Sequence, residues 1–503
     1  MKKLVSVFFI LGILTASTFS RTHAQKRQPN IVVLMADDIG LGDLSYYQKL
    51  RKDKKITVAT PNIDKLISEG MHFTDAHSPA SLCAPTRFSL LTGNYSYRNQ
   101  RPFGVWAPEA NALIDSNGFT TSARIAKAGG YNTAFFGKWG LGGSWVKEKG
   151  KKIDYGYLNG GALSYGFDYA CELPEGIQNK PYAFYENRKW MKLKPDSVLK
   201  ELDANQTGYA TSKKHKKRGG LGDSNWDPKQ AGPILANKAV NYIHNQKENK
   251  EPFFMYYCSQ AVHIPHEPPA NFNGKTIAGS TPGKHGDMIY ELDVQVGLII
   301  EALKKTGVYE NTLFIFTSDN GGLSFDVDMK RAGHDTSQGL SGSKGSINEG
   351  GHRVPFVAVW PGIVKPNSIS DEPIVGHDVV ATIAALANQN LDKTKVFDSA
   401  NLLPLFKGES NVKAHHYLMH QSANGPTFAL REGDWKLIMK SDIKKKTDDV
   451  GNLTPIFLYN LKANLAEDES KNLVNNKKYA KLITDMMAKY QELRESKVST
   501  VNY

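Results

Sequence analysis

The sequence predicts an α/β protein with a large, mostly parallel sheet flanked by helices and a smaller α+β unit at the C-terminus. Three observations lead there. Short apolar runs such as Ile31–Met35 read as strands buried on both faces, the habit of parallel sheets covered by helices. These runs alternate with helical patterns, the mark of βα repeats. Beyond about residue 410 the texture shifts to paired strand-like segments and one terminal helix. With 503 residues, the chain also exceeds what one small core can organise.

The elements follow in order. Lys2 and Lys3 precede an apolar stretch from Leu4 to Leu14, and Thr22-His23-Ala24 fits a cleavage site, so residues 1–24 read as a secretory signal peptide. The apolar stretch is too short to span a bilayer, no cysteine follows it for lipid attachment, and no later segment is long and apolar enough to cross a membrane. The expected product is soluble, periplasmic or secreted, with no membrane anchor. Ile31–Met35 then forms a strand that ends at Asp37 and Asp38. In "TPNIDKLISEG", Thr60 suits a helix N-cap, Pro61 the first turn and Gly70 the stop. Residues 144–230 carry no clear periodicity and hold a basic run, Lys213, Lys214, His215, Lys216, Lys217 and Arg218, whose ordinary meaning is a solvated loop. Ile289, Leu292, Val296, Ile299, Ile300 and Leu303 recur at helical spacing, and the strand "TLFIFTSDNGG" follows. "VPFVAVWPG" is a further strand. A catalytic domain over 25–410 and a smaller domain over 411–503 result; there is no internal repeat.

Net charge is +13, which favours anionic partners, and nucleic-acid-binding motifs are absent. Three cysteines, Cys83, Cys171 and Cys258, rule out a disulfide-built scaffold in an exported chain. Cys171 and Cys258 read as small buried hydrophobes. Cys83 stands apart, in "SLCAPTRFSLLTG", at the mouth of a helix that Pro85 can open and Gly93 can close. Free N–H groups there favour an anion, and Arg87, four residues on, returns to the same face.

In open α/β sheets, sites form beyond the carboxyl ends of strands. Asp37-Asp38 and Asp319-Asn320 occupy two such ends. Each pair alone could cap a helix or turn; together, four hard oxygen side chains suit calcium or magnesium. The lack of a His/Cys cluster argues against zinc. Lys138, His263 and Lys344 flank apolar runs. Singly, each would be solvated or structural; with Arg87 around a divalent ion, they fit a tetrahedral oxyanion.

The series "ADDIGLGD", "CAPTR…LLTG", "GKWGLGG", "SDNGG" and "KGSINEGGHRVP" resembles, in order and spacing from residue 29 to about 360, the type I (formylglycine-dependent) sulfatases of the alkaline phosphatase superfamily, bacterial polysaccharide sulfatases among them. "ALREGDWKLI…LYNL" resembles that family's smaller domain. The resemblance implies an alkaline-phosphatase-like fold and oxidation of Cys83 to formylglycine by a formylglycine-generating maturation enzyme. The aldehyde hydrate would attack sulfur through one hydroxyl and expel sulfate through the other. By the same resemblance Asp37, Asp38, Asp319 and Asn320 bind calcium with modified Cys83, and Arg87 steadies that side. Lys138 and Lys344 hold the sulfate oxygens, and His263 protonates the leaving alcohol; His266 either contacts substrate or caps its loop. Thr86 stands where the family has serine. Gly140 stands where many members have a histidine that helps release sulfate, which leaves that base open among His77, which is favoured, His352 and water.

The expected function is hydrolysis of sulfate esters on a sulfated polysaccharide or its oligosaccharides, an algal polymer such as ulvan before a host glycosaminoglycan. A phosphonate or phosphate ester hydrolase of the same superfamily is the alternative enzyme. A sulfated-glycan-binding protein with impaired catalysis is the alternative outside enzymes.

Overall fold

Ten strands form one sheet at the centre of the computed structural model, which describes residues 28–99, 106–112, 114, 118–210, 212, 214–423, 426–443, 450–497 and 499–501. The expected signal peptide and Lys213 lie outside the described residues. In chain order the strands are β1 (Asn30–Ala36), β2 (Met71–Phe73), β3 (Asn132–Lys138), β4 (Tyr169–Leu173), β5 (Phe184–Glu186), β6 (Lys189–Met191), β7 (Phe253–Cys258), β8 (Thr312–Ser318), β9 (Phe356–Val359) and β10 (Ser368–Ser370). Across the sheet they run β10-β2-β9-β8-β1-β7-β3-β4-β5-β6. The central five, β8 to β4, are parallel, and antiparallel strands flank them on both sides. The sheet is therefore the mixed, mostly parallel one that the sequence predicts.

Both faces of β1 are buried. Ile31, Val33 and Met35 point into one apolar layer, and Val32, Leu34 and Ala36 into the other. Among the described residues the α-helices of seven or more residues are, in chain order, α1 (Pro61–Glu69), α2 (Cys83–Thr92), α3 (Ser122–Ala128), α4 (Ala231–Asn245), α5 (Lys284–Lys305), α6 (Val379–Leu386) and α7 (Ala480–Glu495). α1, α4 and α5 cover one face through Ile63, Leu66, Leu235, Leu292 and Val296, while α2, α3 and α6 cover the other through Phe88, Leu91, Ala123, Val380 and Ile383. Each such isoleucine, leucine, valine or phenylalanine side chain contributes about 1.5–3 kcal/mol on leaving water. Pro61 opens α1 as expected, and Gly93 closes α2 in the left-handed conformation (φ 73°) that a C-terminal cap demands.

The C-terminal unit is a four-stranded antiparallel sheet, β11 (Tyr417–Gln421), β12 (Thr427–Glu432), β13 (Trp435–Ser441) and β14 (Leu453–Asn460). α7 packs Met486, Tyr490 and Leu493 into a core with Phe428, Leu430 and Leu437. This sheet braces two loops of the larger unit. The Ser81 amide donates to the Gln421 carbonyl (3.1 Å), and the Ser422 hydroxyl donates to the Gly345 carbonyl (2.7 Å). Those loops carry Cys83 and Lys344.

Residues 144–230 depart from the expected loop. They supply β4, β5, β6 and a hairpin of Leu199–Leu202 with Gly220–Asp223. Strands of three to five residues fall below the length at which alternation can be read. Part of their core is a cluster of Trp145, Leu158, Ala183 and Tyr185, gathered from distant positions. Cys171 and Cys258 are buried and free, as their sequence setting suggested. Among the described residues no helix is long and apolar enough to cross a membrane.

Candidate active site

Four neighbouring parallel strands end at one place. β1 delivers Asp37 and Asp38, β8 delivers Asp319 and Asn320, β3 ends on Lys138 itself, and the segment after β7 carries His263. α2 points its first turn at the same spot and brings Cys83 and, one turn on, Arg87. Adjacent parallel strands put their carboxyl ends side by side, so residues far apart in sequence meet there.

The cluster is dense and buried. Donor atoms of Asp37, Asp38, Cys83 and Asp319 lie within 4.8 Å of one another, and those of Asp37, Cys83 and His263 form an overlapping group. Cys83 Sγ is 3.5 Å from Asp37 Oδ1 and 3.6 Å from Lys344 Nζ. Lys138 Nζ sits 2.8 Å from Asp37 Oδ2, and Lys344 Nζ sits 2.6 Å from Asp38. Arg87 donates to Asp319 Oδ2 (2.8 Å) and to the Lys138 carbonyl (2.9 Å). The Asp38 amide donates to Asp319 Oδ1 (3.0 Å), with Asp38 held at φ 69°, a strained conformation for a non-glycine residue and one that clusters at functional sites.

Electrostatics follow from this packing. Burial opposes ionisation of Asp37, yet Lys138, His263, Arg87 and Lys344 outweigh it and hold its carboxyl well below the usual range. Asp319 goes the other way: burial and the charges of Asp37 and Asp38 push its carboxyl up despite Arg87. Three carboxylates this close resist shared ionisation unless a cation joins them. Burial pushes the Cys83 thiol up to about 12, against the pull of Lys138 and Lys344, so the unmodified thiol is a poor nucleophile at neutral pH. Burial, then Lys344 and Lys138, push His263 down to about 3. Its Nδ1 faces the Ile264 carbonyl at 2.9 Å, so Nδ1 carries the proton and Nε2, 3.8 Å from Asp38 Oδ2, is bare.

The donor set fits a hard divalent cation. It offers three carboxylates and one amide, and the buried Oδ1 of Asn320 has no hydrogen-bond partner among the described residues while its Nδ2 donates to Asp38 Oδ1. An amide oxygen without a donor suits a ligand of calcium or magnesium.

Beside this centre opens a cleft of about 860 Å³, lined among others by Asp38, Tyr209, Lys214, His215, His263, His266, Lys284, Phe325 and Lys344. Two members of the basic run, Lys214 and His215, thus line the cleft, Lys214 as an exposed side chain in keeping with the solvated loop and His215 half-buried. Nothing in the local sequence of a lysine-rich stretch marks which members line a cleft; Phe325 carried no signal either. His266 is also in the cleft wall, stacked between Phe325 and His285.

His77 and His352 do not join the cluster. His77 Nε2 meets Asp75 Oδ1 at 2.6 Å and Arg431 Nη1 at 3.2 Å, and its ring stacks on His420. His352 Nδ1 faces the Ser78 carbonyl at 3.0 Å, and its ring also packs on His420. Both imidazoles belong to the junction with the C-terminal sheet. Six residues of extended chain reach roughly 20 Å, so nearness to Cys83 in sequence does not bring His77 near in space. Gly140 does face the centre: a Cβ there would lie 3.5 Å from Arg87 Cδ and 3.7 Å from Lys138 Cε.

A family model described as "Sulfatase" matches residues 29–389. The chain is 33% identical over 504 residues to an N-acetylgalactosamine-6-O-sulfatase of Bacteroides thetaiotaomicron, covering 93% of each. It is 31% identical over 420 residues to human arylsulfatase A, covering 82% of this chain and 75% of that protein. A solved structure described with the metabolism of multiple glycosaminoglycans by Bacteroides thetaiotaomicron superposes with a TM-score of 0.79 at 29% identity, covering 93% of this chain and 100% of that one. Strand-end carboxylates, a helix-mouth cysteine and two converging lysines thus coincide with a family match over most of the chain: it belongs to the sulfatase family, within the alkaline-phosphatase-like superfamily, and is a sulfuric ester hydrolase.

Proposed function

We propose that this protein removes sulfate from sulfated glycans, with Cys83 matured to formylglycine and a calcium ion held by Asp37, Asp38, Asp319 and Asn320. The observation that carries this reading is the position of Cys83 Sγ, packed among three carboxylates with Lys344 3.6 Å away. The modified residue and the ion together supply a metal-activated oxygen nucleophile that sulfur can accept.

The chain's own residues do the rest. Arg87 holds Asp319 and the end of β3 in place. The Lys138 and Lys344 ammonium groups lie on Asp37 and Asp38. With a cation held by Asp37, Asp38, Asp319 and Asn320, the Lys138 and Lys344 ammonium groups would be free to hold sulfate oxygens and to stabilise the charge that grows as the ester bond breaks. His263 presents a bare Nε2 toward the centre, so it accepts a proton there. Burial first, then Lys344 and Lys138, depress His263; a bound sulfate ester would offset the two cations, and the same nitrogen can then return the proton to the leaving oxygen. This assigns to His263 both the leaving-group role and the proton acceptance that Gly140 leaves open.

The B. thetaiotaomicron relative acts on N-acetylgalactosamine 6-sulfate, so 6-sulfated amino sugars come first among substrates, and ulvan oligosaccharides remain in the panel. The net charge of +13 suits such anions, and the N-terminal pattern supports work outside the cytoplasm. The test is sulfate release by matured protein from defined sulfated oligosaccharides, measured beside phosphate and phosphonate esters. Sulfate release from at least one glycan, above any phosphate ester turnover, supports the proposal; preference for phosphate or phosphonate esters overturns it.

A further inference from the structure

Phe325 is the one phenylalanine among the exposed large apolar side chains of the described residues, and it stands in the cleft that reaches Asp38, His263 and Lys344. It is 54% exposed, and its neighbour Val327 is 57% exposed. A lone exposed apolar residue on an outer surface needs no explanation; a ring held open to water inside a catalytic cleft does.

The ring is not loose. It lies nearly parallel to His266, at 7° and 6.0 Å between centroids, and His266 in turn stacks on His285, which is fully buried in the first turn of α5. The backbone behind it is fixed as well. Asp326 caps the short helix Val327–Arg331 by accepting from the Asp328 and Met329 amides. On the other side, Ser324 Oγ lies 3.1 Å from Ser343 Oγ, the residue before Lys344. The column of rings and the tie to Ser343 hold Phe325 in a set relation to the lysine that stands 3.6 Å from Cys83 Sγ.

We infer that Phe325 is the platform for the sugar ring that bears the sulfate, a specificity-determining residue for the proposed glycan reaction. The inference rests on that reaction. A pyranose carries its hydroxyls around the rim and C–H groups on its faces. Those C–H groups bear partial positive charge and pack on the negative face of an aromatic ring. Around Phe325 the cleft offers Lys214 and His215 to rim groups, while Lys284 is paired with Glu267 at 2.8 Å. Such polar contacts alone would accept any flat or extended anion; the aromatic surface adds preference for a ring that presents an apolar face.

The experiment uses the full, matured enzyme and its Phe325→Ala and Phe325→Trp variants. N-acetylgalactosamine 6-sulfate and N-acetylglucosamine 6-sulfate are substrates, and inorganic sulfate is the inhibitor. Phe325→Ala should lower kcat/KM on the better sugar about tenfold. The inhibition constant of inorganic sulfate should stay within twofold, because sulfate alone does not reach the platform, and Phe325→Trp should keep most of the activity. Unchanged kcat/KM in Phe325→Ala overturns the inference, as does an equal loss in sulfate inhibition, which would mean a disturbed centre. A wild-type enzyme inactive on every sulfated sugar but active on phosphate esters fails at the proposed function instead, and the platform falls with it.

Discussion

Lys436→Met tests how the C-terminal sheet is tied to the catalytic unit. Lys436 is fully buried on β13, with Nζ 2.9 Å from Glu349 Oε1 and 2.8 Å from Glu467 Oε1. Glu349 keeps a second cation after the substitution, since Arg353 lies 2.7 Å from its other oxygen. Glu467 keeps none and becomes a buried, uncompensated carboxyl. Breaking a buried pair in this way costs about 3–5 kcal/mol, and methionine fills the lysine's volume, so little of the loss comes from a cavity. For a chain of 503 residues the melting midpoint should fall by roughly 3–5 °C. The pH dependence has a definite sign. Burial already raises the Glu467 carboxyl above its unfolded value, with Lys436 opposing. Without the lysine it rises further, so the folded protein prefers the protonated form and stability drains as pH climbs above the unfolded carboxyl range. The loss should be larger at pH 8 than at pH 5, and adding Glu467→Gln should recover part of it. Thermal and urea unfolding of the wild type and both variants measure this. A single variant within 1 kcal/mol of wild type at pH 8, or a double variant less stable than the single, would refute the reasoning.

Asp38→Ala should lose bound calcium by elemental analysis together with sulfatase activity; a variant that keeps both would remove Asp38 from the metal site. His263→Ala should lower kcat by about 10²–10⁴-fold, whereas His77→Ala should leave kcat within about twofold in the folded fraction while lowering thermal stability. A strong kcat effect confined to His77 would reverse that assignment. Glu291 is pushed up to about 8, by burial first, with Gln260 and Gln295 donating to it. Being raised, it is neutral in the folded protein at low pH and lowers stability as pH climbs toward that value. Glu291→Gln should therefore flatten the fall in melting temperature between pH 6 and 9, and an unaltered slope would count against it.

The centre was legible because its parts are local signals. A β-rich run that ends in Asp-Asp or Asp-Asn marks a strand end wherever the strand goes, and Cys83 and Arg87 share a face through helical spacing alone. Topology then needs only to set those strand ends side by side. What escaped depends on contacts that no local pattern encodes. "GDWKLIMK" reads as a strand, yet nothing in it says that Lys436 is buried against two glutamates from elsewhere. Closeness along the chain does not carry His77 to Cys83, because its partner Asp75 and the stacked His420 hold it at the junction with the C-terminal sheet. Phe325, Lys214 and the short strands of 144–230 lie in segments too short or too polar to show periodicity, and the place of Phe325 and Lys214 in the cleft wall appears only in the folded chain.

The proposed chemistry turns on Cys83 acting as formylglycine, because burial pushes its unmodified thiol up and away from the reactive thiolate. The direct measurement is the mass of the tryptic peptide that ends at Arg87, taken from preparations of known sulfatase activity. Specific activity should rise in proportion to the fraction of that peptide lighter than its encoded cysteine form, and Cys83→Ala should be inactive. A fully active preparation in which that peptide carries only the unmodified thiol would contradict the account.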